Sequence, residues 1–446
     1  MRKKKRKLKK KVKITLIVLI IVTVIILLST SLLKKNNINP VSKDNDNYKD
    51  TISNILSYNI NNDIIDTNFL TWIHNNYDEN TLNKLSKYLE DNNYEDKIWH
   101  DLTGNSLNVL MDLYKNNYEN LDNIKIIDKK SDNTSISFVG DVSLADNWYI
   151  MPKYDERNKG IYGILSEDVV DIMTNTDIMV ANNEFTISDR GTPMPGKYYT
   201  FRGSPTRIKI YEEMGVDLVT LANNHVYDFG EDAFSDMLKY LKEYNMPYIG
   251  AGNNIEEAMK PYYFIINGYK IAFVNATRAE KNIMTPEATK TEGGVFRCYD
   301  PTNFSNVIKE TKKRSDYVIA LIHYGKEDSH ELEDVQVESS KLYIDSGADI
   351  VIGSHAHVLQ GMEFYKDKLI VYNLGDFIFN NETKDTGIFT LNIDNTGIMS
   401  YKFIPCKEEN EYTYLLKDND KQSVINKMKS WSINIDIDED GYIKNN

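Results

Sequence analysis

Cysteine and tryptophan are scarce in this 446-residue chain, at two and four residues. Cys298 and Cys406 lie in no metal-type cysteine spacing, which excludes a thiolate metal centre. A disulfide between them and two buried thiols both stay open. Acid is missing from residues 1–13, which hold ten Lys or Arg, and residues 14–33 carry no charge at all. Lys34 and Lys35 follow. Removing those twelve positive charges from the chain's −13 leaves −25 for residues 36–446. So acidic a body repels phosphates, which argues against a nucleic-acid partner. Internal repeats are absent too. Tyrosine and asparagine are abundant, which reads as compositional bias rather than function.

What is there begins with an anchor. An apolar run of twenty residues, 14–33, is long enough for a helix to cross a hydrocarbon core of about 30 Å. The basic residues before it place the N-terminus in the cytoplasm and the rest outside the cell membrane, as a single-pass protein. A cleaved signal peptide is the alternative, but the run exceeds a signal core and Ser-Thr-Ser-Leu-Leu-Lys-Lys lacks a small-x-small cleavage site. The chain then reads as a basic tail (1–13), a transmembrane helix (14–33), a polar linker (34–50) and a small helical segment (51–130). In the last, Leu82, Leu85, Leu89, Leu107, Leu110, Met111 and Leu113 mark helical faces. His74 and His100 lie there without acidic or histidine neighbours at ligand spacing and read as structural.

From about 131 the pattern changes. SISFVG, DIMV, VDLVTLA, IAFVNA, YVIALIH, ADIVIG and KLIVYNLG are apolar runs of strand length. Helical stretches such as 231–244, 302–312 and 334–346 separate several of them. The alternation predicts an α/β domain with a largely buried sheet over 131–395, followed by a C-terminal extension over 396–446.

Polar residues cluster where those strands end. Gly140-Asp141 follows SISFV, Asn182-Asn183-Glu184 follows DIMVA and Asn223-Asn224-His225 follows DLVTLA. His323 ends YVIALI, Ser354-His355-Ala356-His357 follows DIVIG, and Gly375-Asp376 follows LIVYNL. In open α/β sheets ligands collect at the carboxyl ends of strands. These residues therefore converge on one site, and imidazole with carboxylate oxygen suits divalent Zn, Fe or Mn. Any one strand-end histidine is more often a hydrogen-bonding residue; several strand ends together favour a metal site. Arg202, in TFRGSP, is a candidate contact for an anionic substrate, with a surface ion pair as the alternative. Lys326 and Glu327 are candidate supports for His323.

The ordered set Gly140-Asp141, Asn183-Glu184, Asn223 to Gly230, His323 to Glu327, Gly353 to Gln360 and Leu374 to Phe379 resembles the CapA, or poly-γ-glutamate capsule synthesis, family. The resemblance covers about 133–395. It implies a metallophosphoesterase-like two-sheet β-sandwich core flanked by helices, with two divalent ions. By motif, Asp141 and His357 would bind the first ion and Asn224, His323 and His355 the second, with Glu184 bridging. His225 would be the general acid and Asp228 its orienting partner. Ser143 stands where phosphoesterases carry histidine, and Asn183-Glu184 replaces their Gly-Asp-x-x-Asp. The implied role is synthesis or export of an anionic envelope polymer beside membrane-bound synthetase or export subunits. An extracellular phosphoesterase acting on a phosphoester and a binding-only module of the same fold are the alternatives.

Overall fold

The computed structural model describes residues 47–58, 60, 65–78, 80–115, 123–127, 133–280, 284–397 and 399–446. The expected basic tail, transmembrane helix and most of the linker lie outside them. Among the described residues no helix is long and apolar enough to cross a membrane. Two compact units divide the chain, Met1–Leu107 and Asn108–Asn446.

The first unit is helical, with Asn47–Ser57, Thr67–Asn76, Thr81–Asp91 and Ile98–Thr103. Leu82, Leu85 and Leu89 recur every three or four residues and are buried, as an amphipathic helix requires. Asp66 caps its helix by accepting from Phe69 N at 2.8 Å, satisfying a donor that a helix start leaves free. His74 stacks on Tyr48 at 4.3 Å, which fits its reading as a structural histidine.

The second unit is built on two mixed sheets flanked by helices. The seven-stranded sheet runs in the order Ile124–Ile127, Tyr262–Ile266, Tyr269–Thr277, Tyr317–His323, Ile350–Ser354, Lys368–Val371, Met362–Tyr365. Its four consecutive strands from Tyr269–Thr277 to Lys368–Val371 are parallel. In the ten-stranded sheet Asn133–Val142 is followed by parallel Ile178–Asn183, Leu218–Thr220 and Tyr248–Ile249. Asp376–Ile378 joins the end of Asn133–Val142, also parallel. Every strand run read from the sequence contributes one of these strands, and the three expected helices appear as Gly230–Glu243, Thr302–Lys312 and Asp334–Asp345.

Side-chain alternation decides which face goes where. Ile136, Phe138, Ile178 and Val180 of the larger sheet meet Phe273, Ile319, Leu321, Ile350 and Ile352 of the smaller in one buried cluster. That cluster is the filling of a sandwich. Val318, Ala320 and Ile322, one residue out of phase, pack instead against Phe304, Ile308 and Tyr343 of the covering helices. Val139, Met179 and Val219 do the same against Met173, Met237 and Leu241 on the opposite side. Both sheets are thus buried on both faces, which is why their strands read as unbroken apolar runs.

Two stretches differ from the sequence reading. Ile124–Ile127, within the stretch read as helical, pairs with Tyr262–Ile266; its four residues are too few to show a period. Residues 396–446 extend the ten-stranded sheet: Met399–Glu408 pairs along Lys384–Asp394, and Tyr442–Asn445 pairs with it in turn. Cys298 and Cys406 are free and buried.

Candidate metal centre

Register assembles the site. Across the ten-stranded sheet Asp376 pairs with Asp141, Asp141 with Asn182 and Asn182 with Thr220. Across the seven-stranded sheet Thr277 pairs with His323 and His323 with Ser354. Parallel strands in register put their carboxyl ends at one level, so residues far apart in sequence meet. Gly140 makes the approach possible: a Cβ there would lie 1.8 Å from Gly375 O, whereas Asp141 N now donates to that oxygen at 2.9 Å.

The donors come together in three overlapping groups, each with ligand atoms within 4.8 Å of one another. They are Glu184, His323 and His355; Asp141, Glu184 and His357; and Glu327, His355 and His357. Glu184 belongs to the first two, between His323 and His355 on one side and Asp141 and His357 on the other. Asn224 joins the first through Oδ1, 2.8 Å from His323 Nε2. All six residues that the sequence offers as ligands therefore lie in one cluster. His225 belongs to none of these donor groups.

Asn182, read from the sequence only as part of a strand end, ties the cluster together. Its Nδ2 donates to Asp141 Oδ1 at 2.8 Å and Glu184 Oε2 at 3.1 Å, and lies 3.3 Å from His323 Nδ1. Its Oδ1 accepts from Thr220 Oγ1 at 2.9 Å and Asn223 Nδ2 at 3.1 Å. His357 Nδ1 meets Asp376 Oδ1 at 2.7 Å, a carboxylate–imidazole pair of the kind that orients metal-binding histidines. His323 Nδ1 meets Ser354 Oγ at 2.9 Å.

The backbone is strained here. His355 and His357 adopt φ of +100° and +58°, a region that costs a non-glycine residue about 1–3 kcal/mol. His355 N is held there by donating to Asp141 Oδ2 at 3.1 Å.

The electrostatics suit a cation. Burial, then the neighbouring Asp141, raises the Glu184 carboxyl well above the ordinary range. Burial raises Asp141 as well, against the opposing pull of His357. Burial, then the other imidazoles, drives His323 and His355 well below the usual histidine value, leaving both neutral with lone pairs to give. Burial pushes His357 down, but Asp376 and Asp141 outweigh it and lift it to about 9. Glu184 Oε1 and His355 Nδ1 are buried without a hydrogen-bond partner, a costly state for polar atoms. Unpartnered donors, neutral imidazoles and crowded carboxylates fit a divalent cation.

His225 lies at the cluster's edge. Its Nδ1 meets Asp228 Oδ2 at 2.7 Å, so Asp228 engages that nitrogen and not Nε2. Burial lowers its pKa, partly offset by Asp228. Sequence reasoning missed Lys197, whose side chain is 8% exposed and whose ammonium reaches Asp228 Oδ1 at 2.7 Å and Glu280 Oε1 at 3.3 Å. It also donates to Asn224 O. Arg202 is engaged elsewhere. Its guanidinium donates to the carbonyls of Arg190 and Gly191 and lies 4.4 Å from the centre of the Phe229 ring. Of the pair 326–327, Glu327 approaches the site, with Oε1 3.9 Å from His355 Nε2.

Comparison with known proteins supplies a context. A family model described as bacterial capsule synthesis protein PGA_cap matches residues 135–381, more than half of the chain. The PGA biosynthesis protein CapA of Bacillus subtilis (strain 168) is 28% identical over 310 residues, 68% of this chain and 79% of that protein. The capsule biosynthesis protein CapA of Bacillus anthracis is 31% identical over 204 residues, 44% of this chain and 49% of that protein. Among solved structures, a hypothetical protein from Thermus thermophilus aligns at TM-score 0.38 and 16% identity, covering 61% of this chain and 99% of that one. A 5'-nucleotidase from Candida albicans SC5314 aligns at TM-score 0.33 and 10% identity, covering 62% and 51%.

Proposed function

The chain belongs to the bacterial capsule synthesis protein family PGA_cap, and we propose that it acts outside the cell membrane in making or exporting poly-γ-glutamate or a related envelope polymer. In this reading residues 14–33 anchor it, and membrane-bound synthetase or export subunits are its partners. The site is a two-cation, phosphoesterase-like centre. The observation that carries this is Glu184, a fully buried carboxylate shared by two groups of metal-type donors.

Asp141 and His357 would hold one cation and Asn224, His323 and His355 the other, with Glu184 serving both. A divalent cation supplies Lewis-acid polarisation and makes a bound water more acidic. The protein's own residues do the rest. Asn182 fixes Asp141 and Glu184 against each other. Asp376 and Ser354 hold the rings of His357 and His323. His225 carries a proton to the departing oxygen through Nε2 while Asp228 orients the ring through Nδ1.

A binding-only module of the same fold is the second reading. It is favoured by Ser143, which stands where phosphoesterases carry a histidine, and by the single imidazole in the Asp141–Glu184–His357 group. Metal analysis of the purified full-length protein, with assays on a phosphomonoester and a phosphodiester, separates the two. About two cations per chain with turnover is the expected result. Metal without turnover on either ester leaves the binding module; no stoichiometric metal removes the centre. Protease digestion of intact protoplasts tests the topology, and a fully protected body would refute it.

A further inference from the structure

A run of aromatic rings leads from the surface to the donor cluster. Tyr149, Tyr198 and Tyr199 are 43%, 89% and 53% exposed. The rings of Tyr149 and Tyr199 lie 4.6 and 5.8 Å from Trp148, and Tyr198 lies 4.8 Å from Tyr199. Trp148 packs on Phe201 at 4.8 Å, and Phe201 touches both His225 at 4.5 Å and Phe379 at 5.5 Å. Phe379 reaches His357 at 4.7 Å. The run thus ends on two histidines, His225 at the edge of the candidate centre and His357 within it.

Hydrogen bonds hold the shelf in shape. Asp146 N donates to Arg202 O at 2.8 Å, and Arg202 N donates to Asn147 Oδ1 at 2.9 Å. Asn147 Nδ2 donates to Thr200 O at 2.8 Å, and Ser204 N donates to Asp146 Oδ2 at 2.6 Å. Two segments, 143–149 and 188–204, which carry the exposed rings, are locked together. Such a surface is ordered before any ligand arrives, which lowers the entropic cost of binding.

Its charge limits what it can take. The cations on these loops are Arg190, Lys197 and Arg202. Arg190 pairs with Asp232 and Asp236, and Lys197 with Asp228 and Glu280. Arg202 is taken up by backbone carbonyls and the Phe229 ring. A polyanion would find no uncommitted cation here, on a body already strongly acidic. Open rings beside phenol hydroxyls suit a ligand with apolar C–H faces and hydroxyl edges.

We propose that this shelf is a subsite for an uncharged hexopyranose glycan, whose sugar faces stack on Tyr149, Tyr198 and Tyr199 beside the His225 and His357 edge. This goes beyond the reading of the site as one that acts on poly-γ-glutamate or a related envelope polymer. It rests on that reading only for what happens at the donor cluster, because stacking needs no cation.

The test is calorimetric titration of the full-length protein in a sugar-free detergent with EDTA present. N-acetylchitohexaose and cellohexaose are the probes, with poly-γ-glutamate in a separate arm. Saturable binding of at least one oligosaccharide is expected. The double variant Tyr198→Ala/Tyr199→Ala should weaken it about tenfold or more at unchanged Tm, since both rings are largely solvent-facing. No binding of either oligosaccharide, or equal affinity in the double variant, overturns the proposal. So does poly-γ-glutamate binding that the double variant abolishes, which would make the shelf a polyanion site. Oligosaccharide binding in a protein without turnover would sink the hydrolase reading and leave the shelf standing. Turnover and metal without oligosaccharide binding would do the reverse.

Discussion

The two sheets bring different chemistry to the same place. The strands of the seven-stranded sheet end in imidazoles, with His323 closing Tyr317–His323 and His355 and His357 following Ile350–Ser354. Those of the ten-stranded sheet end in oxygens, with Asp141, Glu184 and Asn224, and Asp376 opens the strand Asp376–Ile378 beside Asp141. The imidazoles His323 and His355 are held neutral by burial, while burial holds the Asp141 and Glu184 carboxyls above their usual range. The seven-stranded sheet alone assembles one donor group, Glu327, His355 and His357, whereas the two groups that share Glu184 draw on both sheets. His225 comes from the oxygen side, and it is the site imidazole that joins no donor group. The sheet a histidine grows from therefore separates proposed ligand from proposed acid.

The strongest test of this division removes one donor from each side. Glu184→Gln should abolish stoichiometric binding of both cations, because the carboxylate is common to both groups. His355→Ala should lose the cation held with His323 and keep the one held with Asp141 and His357. Metal content by mass spectrometry reads both. Equal loss in the two variants would mean that the sheets do not divide the site as described.

His225→Ala should keep fold and metal while turnover, or polymer production in cells, falls about 10²–10⁴-fold, the usual contribution of a positioned acid. Asp228→Asn should fall between wild type and His225→Ala. Asp228 also accepts from Phe201 N at 2.8 Å and pairs with Lys197, so its melting temperature needs to be followed in parallel. Metal loss in His225→Ala matching that in His355→Ala would place His225 among the ligands.

Most of the cluster was legible because parallel strands carry the information themselves. An apolar run marks a buried strand, and the polar residue that breaks it marks the end at which ligands gather. That rule finds Asp141, Glu184, Asn224, His323, His355 and His357. It is blind to residues in loops. Arg202 drew attention for its forked donors, yet Lys197, five residues earlier in the same loop, is the buried cation; nothing local distinguishes the one that folds inward. Asn182 escaped because an amide beside Glu184 looks like its neighbour Asn183. The C-terminal strands were hidden by their composition. In MSYKFIPCKE polar residues and Pro405 interrupt the apolar pattern, and only pairing with Lys384–Asp394 shows a strand.

A milder probe of the imidazole side is Asp376→Asn. Asp376 is an oxygen residue that serves an imidazole from the opposite sheet, through the 2.7 Å contact with His357. Losing such a support typically costs about 10–100-fold in metal affinity. The loss should fall on the His357 cation and spare the one held by His323 and His355. Equal weakening of both would show that the sheet ends act as one unit.

The smallest expected effect isolates the burial of an oxygen from any cation. Glu408 ends a strand of the ten-stranded sheet and lies outside the donor groups. Its Oε1 accepts from Phe379 N at 2.6 Å and Asn380 N at 3.0 Å, and its Oε2 is buried without a partner. Burial, then Asp376, raises its pKa well above the ordinary value, and the two N–H groups and Lys384 oppose them without prevailing. A carboxyl raised on folding binds more protons folded than unfolded. Its stabilising contribution is therefore complete below the unfolded value of about 4.3 and is lost as pH rises through the folded value. Glu408→Gln keeps the acceptor for both N–H groups and cannot ionise. Its stability should match or fall slightly below wild type near pH 5 and exceed it by about 1–3 kcal/mol near pH 8, the usual cost of an unmet buried polar group. Urea melts of EDTA-treated protein at the two pH values measure this. A variant whose deficit is the same at both would mean that Glu408 is ionised in the fold, and that burial alone does not hold protons on the oxygen side.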